Sequence, residues 1–379
     1  MDFELTEEQK MIRKTVRDFA EKEIRPVRAE YDEKEEYPID ILRKLGDIGI
    51  MGMAVPKEYG GSGVDVISYA IAVEELSKAD PSVGVAVSVH NSLACDPIAE
   101  FGTEEQKKKW LPDLASGKKI GCFCLTEPDA GSDAASIRST ARLEGEEYII
   151  NAKKQFITNA AGADLSLVYV MTDKEKGYKG ISGFLVPTDA PGFSRGKKEK
   201  KMGIHASVTM EMLYEDCRIP RENLLGEEGQ GFKIALWALD AGRIGIAAQA
   251  VGLAQGALDE AIAYSKERVQ FGKPISSFQA IQWMMADMAT EIDAARLLTY
   301  RAAHVKQKGD RFTMEAAMAK LKASEVAVEV SRKAVQIFGG YGYMREYPVE
   351  HFYRDAKITE IYEGTSEIQR LVISRALLK

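Results

Sequence analysis

The hydrophobic period of this 379-residue chain changes twice, and this change constrains the fold more than any other feature. Up to about residue 118 apolar residues recur with the period of an amphipathic helix. Residues 119–226 instead contain short runs of β-branched and aromatic residues separated by Gly, Asn and Asp, which are typical of β-strands. The helical period then returns. A doubly wound α/β fold, in which strand and helix alternate throughout, is therefore excluded.

The order of the three blocks predicts a multi-domain α+β protein. We expect an N-terminal all-α domain (1–118), a middle antiparallel β-barrel-like domain (119–226) and a C-terminal four-helix bundle (227–379). In the middle block, strand signals occur at residues 120–125, 148–150, 155–158, 165–171 and 208–214. In the last block, long Ala-, Leu-, Met- and Glu-rich segments predict helices at 231–269, 278–308, 313–338 and 367–378.

Cap and breaker residues predict the ends of the first helices. Thr6 and Gln9 have the spacing of a capping box, and Pro26 is expected to end the helix that they begin. A second helix is predicted to begin near Pro38 and to end at Gly46, because glycine commonly follows a helix C-terminus.

Charge and composition exclude several classes of function. The chain has 51 Lys+Arg and 58 Asp+Glu, a net charge of −7, and no long basic run, so a dedicated nucleic-acid-binding role is not expected. No run of 18 apolar residues is present, so no membrane-spanning segment is expected. The acidic N-terminus is not followed by an apolar run and does not resemble a signal peptide. Four cysteines are too few for a disulfide scaffold, and we expect a cytoplasmic protein.

Common nucleotide and metal motifs are not found. The glycine clusters at residues 60–63, 226–231 and 339–342 lack the GxGxxG spacing, and no GxxxxGK[ST] sequence occurs. The four histidines form no HxxxH or HExxH pair, so no metal site is expected. Cys122 and Cys124 have one residue between them rather than the two of a redox pair, and we interpret them as packing residues.

Five short segments contain the functional signal. Residues 361–369 read IYEGTSEIQ, in which Ser366 and Gln369 fit a capping box, so the last helix is predicted to begin at Ser366. Glu363 then lies just before that helix, and Gly364 lets the backbone approach a ligand. The other segments are LTEPDAGS (125–132), DAGR (240–243), RVQFG (268–272) and QIFGG (336–340). Each has an ordinary structural explanation when taken singly: a helix N-terminus, a loop, a salt bridge, a turn or a helix end.

Taken together and in this order, the five segments resemble the acyl-CoA dehydrogenase family, over essentially the whole chain. The resemblance implies a noncovalently bound FAD whose flavin ring lies between the middle and C-terminal domains. Thr126 would hydrogen-bond the ring, and Ser132 would lie between the cofactor and the substrate. Phe156 replaces a tryptophan of the family, so it would stack on the flavin without donating an N–H. The middle-block positions that match flavin contacts are Phe123, Leu125, Thr126, Ser132, Phe156, Ile157 and Thr158.

The resemblance also implies an oligomer and an electron acceptor. Thr365 and Glu367 match positions near the adenosine end of FAD. A second set matches positions that bind the FAD of a neighbouring subunit: Arg268, Gln279, Gln336, Ile337, Gly339 and Gly340. The family usually forms a homotetramer, a dimer of dimers, and passes its electrons to electron-transferring flavoprotein.

The reaction implied by the resemblance is α,β-dehydrogenation of an acyl-CoA to trans-2-enoyl-CoA. Glu363 would abstract the α-proton while flavin N5 accepts the β-hydride. Some family members carry the base at the position of Gly242, which has no side chain that could accept a proton. Burial would raise the pKa of Glu363 and the helix N-terminus would lower it, and the sequence leaves the balance open. The positions that match substrate contacts are Ser132, Asp240, Arg243 and Gly364.

Three alternatives stay open at this point. Arg243 could form a structural ion pair instead of contacting the substrate. The fold could also serve a flavin monooxygenase or acyl-CoA oxidase, although such enzymes tend to lack the glutamate or replace it with aspartate, or it could be a non-enzymatic helical scaffold. The segment DAGRIGIAAQA is most similar to short-chain, butyryl-type members, while branched short-chain substrates remain compatible with it.

Overall fold

The computed structural model describes residues 4–378 and confirms the succession of a helical block, a β-sheet and a second helical block. Thr6 and Gln9 form the predicted capping box of the first helix, which continues through a π-helical turn, Ala20–Ile24, and ends before Pro26. The helices of this block are α1 (Glu7–Phe19), α2 (Arg28–Lys34), α3 (Ile39–Asp47), α4 (Val66–Ala79), α5 (Pro81–Val89), α6 (Asp96–Phe101) and α7 (Glu104–Ala115).

The predicted end of α3 at Gly46 is wrong. Gly46 lies inside the helix, and the left-handed residue that follows the helix is Gly49, with φ 77°. A Cβ atom on Gly46 would lie 2.2 Å from the carbonyl oxygen of Ser116. The glycine therefore allows the end of α7 to approach α3 closely and does not terminate α3.

The middle block forms an eight-stranded sheet in which the strand order is β6-β7-β3-β2-β4-β5-β8, with β1 paired to β4. Its strands are β1 (Gly121–Cys124), β2 (Thr140–Glu144), β3 (Glu147–Ile157), β4 (Leu165–Met171), β5 (Ile181–Pro187), β6 (Phe193–Lys198), β7 (Met210–Pro220) and β8 (Leu224–Leu225). The two strand signals at 148–150 and 155–158 belong to one continuous strand, β3.

Most of the strand pairs are antiparallel, as predicted, but the sheet is mixed. Strand β1 runs parallel to β4, with Cys122 opposite Ser166, and β2 also meets β4 in parallel. The hairpin of β2 and β3 turns the chain back, so β4 runs in the same direction as β1. The predicted antiparallel arrangement is therefore wrong at these two pairs and holds at the other pairs of the sheet.

The last block contains the predicted long helices and one helix that was not predicted, α11, in the segment between residues 338 and 367. Its helices are α8 (Gly231–Glu267), α9 (Gln279–Gln307), α10 (Thr313–Phe338), α11 (Pro348–Thr359) and α12 (Ser366–Leu377). A short hairpin of β9 (Val269–Gln270) and β10 (Lys273–Pro274) connects α8 to α9.

The first and last helical blocks share one hydrophobic core. Val73 of α4, Ala247 and Val251 of α8, and Ala319 of α10 all belong to this core and have at most 1% of their surface exposed. Helix α8 is also long and apolar enough, by length and composition alone, to cross a membrane. However, 78% of its most apolar window is buried inside the protein. Its apolar surface is thus already covered by the neighbouring helices.

Candidate active site

Glu363 lies in a tight left-handed turn between α11 and α12. Glu363 and Gly364 both have positive φ, 50° and 91°, a conformation that costs a glutamate energy and has to be held by its surroundings. The side chain of Gln369 donates to the carbonyl oxygens of Glu363 (3.2 Å) and Gly364 (2.8 Å), and Lys320 donates to Gly364 from α10 (2.8 Å). Three hydrogen bonds from two buried side chains therefore fix this turn.

The cap of the last helix is one residue earlier than predicted. Helix α12 begins at Ser366 as expected, but its N-cap is Thr365, whose hydroxyl accepts from the backbone N–H of Ile368 at 3.3 Å. The capping box of Ser366 and Gln369 is therefore wrong. The left-handed Gly364 turns the chain so that Thr365 faces the free N–H groups of α12, and Gln369 is used to hold the turn instead.

The carboxylate of Glu363 is buried without a hydrogen-bond partner among the described residues. Both of its oxygens are inaccessible, although part of the residue is exposed. An ideal Cβ atom on Gly242 of α8 would lie 2.1 Å from Oε2 of Glu363 and 3.0 Å from a methyl group of Leu93. The carboxylate therefore fills the space above Gly242, which is the position from which some family members are expected to present their base.

Burial has the largest effect on the pKa of Glu363. The sequence left open whether burial would raise this pKa more than the helix N-terminus lowers it. Burial raises the pKa of Glu363 from 4.5 to about 7, while the charges of Lys320 and Arg243 oppose a further rise. Lys320 itself is fully buried, and burial lowers its pKa to about 8 against the opposing attraction of Glu363. Near neutral pH the carboxylate can thus gain or lose a proton without a large energetic cost.

Asp240 and Arg243 form the ion pair that was considered as an alternative. Arg243 donates to Oδ1 of Asp240 at 2.5 Å, and Thr313 donates to Oδ2 at 2.6 Å. Arg243 also lies close enough to Gly364 that a Cβ atom there would be 3.8 Å from its Nη2, and its Nε is buried without a partner. Arg243 therefore forms the structural ion pair with Asp240, and it also faces the Glu363 turn.

An apolar cluster adjoins the carboxylate and connects the three blocks. Its buried members come from α5, the π-helical turn after it, the loop before β7 and α8, and they are Val85, Val89, Leu93, Ile204, Ala238 and Ile246. Phe123 of β1 and Tyr362, the neighbour of Glu363, pack against them. The cluster therefore brings the predicted flavin strand and the predicted base to the same place.

The middle-block residues predicted to contact the flavin lie on two adjacent segments. The carbonyl oxygen of Thr126 accepts from the backbone N–H of Gln155 at 2.9 Å, which sets the loop after β1 beside the end of β3. There Phe156 has φ 59° and leaves 62% of its surface exposed, whereas Leu125 and Ile157 are buried. Phe123 and Thr158 are partly buried, and Ser132 is exposed beyond a tight turn. The hydroxyls of Thr126, Ser132 and Thr158 make no hydrogen bond within the described chain.

Several residues predicted to bind the FAD of a neighbouring subunit line a separate cleft, at the end of α8 that lies away from Gly242. Arg268, Ile337, Gly339 and Gly340 line a space of about 540 Å³, and the guanidinium of Arg268 lies 5.3 Å above the ring of Tyr341. Gln279 and Gln336 are close in sequence to residues of the cleft and are exposed, but they do not line it. Arg268 is 26 residues from Gly242 along α8, which corresponds to about 39 Å. Thr365 and Glu367 lie at the start of α12, next to the Glu363 turn.

A buried charged cluster joins all three blocks away from Glu363. Asp32 of α2 pairs with Arg354 at 2.7 Å and with His205 at 3.0 Å, and His351 contacts Asp355 at 2.8 Å. Burial lowers the pKa of His351, but Asp355 outweighs it and raises that pKa to about 9, so His351 is charged at neutral pH. A metal ion bound here would have to displace these cations, and we interpret the cluster as an ion-pair network.

Lys320 is the site residue that was missed. A lysine in an Ala-rich helix is normally exposed, but Lys320 lies four residues after Ala316 and three before Ala323, both fully buried. A charge at a core position of an amphipathic helix is the signal that would have identified it.

Comparison with known proteins identifies the family. Models of the acyl-CoA dehydrogenase N-terminal, middle and C-terminal domains match residues 6–118, 122–217 and 229–378. Together these matches cover most of the chain. With this fold and a buried carboxylate before the last helix, the chain belongs to the acyl-CoA dehydrogenase family, whose members are flavin-dependent oxidoreductases.

Short-chain members are among its relatives. The chain is 55% identical to the short-chain specific acyl-CoA dehydrogenase of Clostridium acetobutylicum, over the whole of both chains. It is similar to the structure of butyryl-CoA dehydrogenase from Megasphaera elsdenii, with 51% identity, full coverage of both chains and a TM-score of 0.98. It also matches, at 54% identity, full coverage and a TM-score of 0.99, a chain from a structure described as the electron transferring flavoprotein of Acidaminococcus fermentans.

Proposed function

We propose that this protein is an FAD-dependent enzyme that dehydrogenates short-chain acyl-CoA thioesters to trans-2-enoyl-CoA. The observation that carries the proposal is the carboxylate of Glu363, which is buried without a partner, has a pKa raised to about 7, and adjoins an apolar cluster. This is the arrangement expected of a general base that removes a weakly acidic proton in a dry site. The short-chain relatives support the substrate class.

The middle-block residues fit a flavin. The exposed ring of Phe156 offers a stacking surface, and the hydroxyls of Thr126 and Thr158 are available to the polar edge of a planar ring system. When bound, FAD supplies the acceptor for the hydride that leaves the β-carbon. We assign its binding to the segments around Thr126 and Phe156, with Thr365 and Glu367 nearer its adenosine end.

The chain's own groups perform the proton transfer. The backbone N–H of Glu363 makes no hydrogen bond within the described chain, so it can donate to the thioester carbonyl oxygen and stabilise the negative charge that develops there. The carboxylate of Glu363 then takes the α-proton. The apolar cluster excludes water, and Arg243, Asp240, Gly364 and Ser132 are proposed to lie along the substrate.

The geometry along α8 favours a short acyl chain. Gly242, Ile246 and Gln249 lie on one face of this helix, and Gln249 is about 10 Å beyond Gly242. There the hydroxyl of Tyr362 donates to the side chain of Gln249, which donates to the carbonyl oxygen of Pro81 at 2.9 Å. A long acyl chain would have to break this buried polar bridge.

Anaerobic reduction by butyryl-CoA tests the proposed function. We expect butyryl-CoA to bleach the bound flavin without oxygen, the reduced protein to reoxidise slowly in air, and palmitoyl-CoA to act poorly. Rapid reoxidation in air would favour an oxidase or monooxygenase, although the presence of Glu363 and the identity of the relatives do not favour either. A protein that binds no FAD would instead be a scaffold.

The rate of this reduction should depend on pH through Glu363. Because the base must be ionised and its pKa is raised to about 7, the rate should be low at pH 5, half-maximal near pH 7 and constant above pH 8. Stopped-flow measurement at limiting butyryl-CoA gives this profile, because the second-order rate constant reports the pKa of the free protein. A rate that is already maximal at pH 5 would contradict the raised pKa.

Lys154 is expected to be needed for flavin retention. It is fully buried and donates to the carbonyl oxygens of Leu125 (3.1 Å) and Tyr169 (2.7 Å) and to Glu127 (2.7 Å). Lys154→Met would leave the buried Glu127 without its counterion, with only the backbone N–H groups of Arg138 and Ser139 as partners. Loss of the counterion of a buried charge costs up to about 3–5 kcal/mol and would loosen the loop beside the flavin. We expect a lower urea midpoint and a lower ratio of flavin to protein after gel filtration.

The neighbouring lysine is a matched control for this change. Lys153 leaves about half of its side chain exposed and pairs with Glu211 at 2.9 Å. Lys153→Met should therefore retain flavin and stability, since exposed ion pairs contribute little. Equal flavin content and equal urea midpoints in the two variants would show that Lys154 does not support the loop.

The assembly and the electron acceptor complete the proposal. The cleft lined by Arg268 and Gly340 is about 39 Å from Gly242 along α8, so it is available to the FAD of another subunit. This supports an assembly of more than one subunit, and we propose a homotetramer. Sedimentation velocity of the flavin-loaded protein tests this, and a monomer would contradict it.

We propose electron-transferring flavoprotein as the electron acceptor, which the Acidaminococcus fermentans structure supports. We also propose a cytoplasmic location.

A further inference from the structure

A buried lysine faces the proposed base from the helix behind it. The side chain of Lys320 has 0% exposure, although a lysine is almost never fully buried without a specific partner. Its ammonium makes a single hydrogen bond within the described chain, to the carbonyl oxygen of Gly364 at 2.8 Å. The remaining donors of the ammonium therefore contribute positive charge beside the Glu363–Gly364 turn.

Among the cations near Glu363, Lys320 has the largest effect on the pKa of its carboxylate. Lys320 opposes the burial-driven rise in the pKa of Glu363 more strongly than Arg243 does, and Arg243 is in addition paired with Asp240. The charged groups that act on Lys320 in return are Glu363, Arg243, Glu360 and Glu367. Two tyrosine hydroxyls also respond to the charge of Glu363, those of Tyr69 and Tyr362.

We propose that Lys320 is a positioning residue for Glu363, which holds the left-handed turn through the carbonyl oxygen of Gly364 and supplies the positive charge that keeps the carboxylate ionised before it accepts the substrate's proton. The turn needs such support because Glu363 has φ 50°, a strained conformation for a non-glycine residue. The charge is needed because a buried carboxylate without a hydrogen bond would otherwise take up a proton from water. This inference rests on the proposed function.

The pH profile of flavin reduction by butyryl-CoA tests the inference. Lys320→Met removes the charge and the donors and leaves an unbranched side chain that is one heavy atom shorter. We expect the pH at which the rate is half-maximal to rise by about one unit, because an opposite charge within a few ångströms lowers a carboxyl pKa by at least that amount. At pH 7 the rate should fall at least fivefold and should recover largely by pH 9, with little change in KM.

Two further variants separate the charge from a merely structural role. Lys320→Arg keeps the charge and should keep the half-maximal pH near that of the wild type. Lys357→Met makes the same chemical change on α11, where Lys357 is half exposed and pairs with Glu360, and should leave the profile unchanged. If Lys320→Met does not retain flavin, Lys320→Gln carries the same test, since it keeps a donor but no charge.

The outcomes distinguish this inference from the proposed function. If butyryl-CoA does not reduce the flavin of the wild type, the proposed function fails. If the wild type is reduced and Lys320→Met, or Lys320→Gln in its place, shows an unshifted half-maximal pH, the inference is wrong, whether or not the rate falls. The inference is supported if the half-maximal pH rises in Lys320→Met and stays near that of the wild type in Lys320→Arg.

Discussion

Glu363→Gln is expected to bind FAD and butyryl-CoA like the wild type but to reduce its flavin about 10³-fold more slowly. The amide has the size of the carboxylate and fits the same space above Gly242, so the fold and the cofactor site should be preserved. It cannot accept the α-proton, and the carboxylate nearest to Gly242 is that of Glu363. Anaerobic stopped-flow at pH 8 measures the rate, and titration with crotonyl-CoA measures binding.

A nearby glutamate is the control for this variant. Glu360 lies three residues earlier and pairs with Lys357 at 2.5 Å, whereas the carboxylate of Glu363 has no hydrogen-bond partner among the described residues. Glu360→Gln should therefore reduce its flavin at nearly the wild-type rate. Comparable rates for Glu363→Gln and the wild type would remove Glu363 from the mechanism, whereas loss of bound FAD in Glu363→Gln would show that its role is structural.

Gly242→Ala is the second change with a large expected effect. Its Cβ atom would lie 2.1 Å from Oε2 of Glu363, which is closer than real atoms approach, so the carboxylate has to move. Since a displacement of about 1 Å at a reacting group can cost about 10²-fold in rate, we expect a loss of that size with FAD still bound. The rate of flavin reduction and the flavin content measure the two effects.

The contact between Gly242 and Glu363 can be isolated by a double-mutant cycle. In a Glu363→Ala background the clash with Oε2 is absent and only the 3.0 Å approach to Leu93 remains, so adding Gly242→Ala should lower the Tm much less than it does in the wild type. The relocated pair, Gly242→Glu with Glu363→Gly, should recover part of the activity, because the new carboxylate occupies the same space. Equal Tm losses in both backgrounds would show that the two residues do not interact.

Features that depend on nearby residues were predictable from the sequence. The capping box of Thr6 and Gln9, the succession of helical, strand and helical periods, and the position of Glu363 just before α12 all follow from short-range rules and are confirmed. The cap of α12 was missed by one residue because Thr365 and Ser366 have similar capping side chains. Only the left-handed turn at Gly364, which the sequence permits but does not require, selects Thr365.

Features that depend on contacts between distant segments were not predictable. Gly242 and Glu363 are more than one hundred residues apart, and only the packing of α8 against the turn shows that the carboxylate fills the space of the missing side chain. The burial of Lys154 and Lys320 likewise results from tertiary packing, whereas Lys153 is exposed and Lys322 is only partly buried. The parallel pairing of β1 with β4 also depends on how the intervening hairpin folds.

Proton removal by Glu363 can be measured without the hydride transfer. Acetyl-CoA has an acidic methyl group but no β-carbon, so it can lose an α-proton to the base but cannot reduce the flavin. In deuterium oxide the flavin-loaded wild type should exchange the methyl protons of acetyl-CoA for deuterium, as followed by proton NMR, and Glu363→Gln should show no exchange above that of buffer. Equal exchange rates in the two proteins would contradict the assignment of Glu363 as the base.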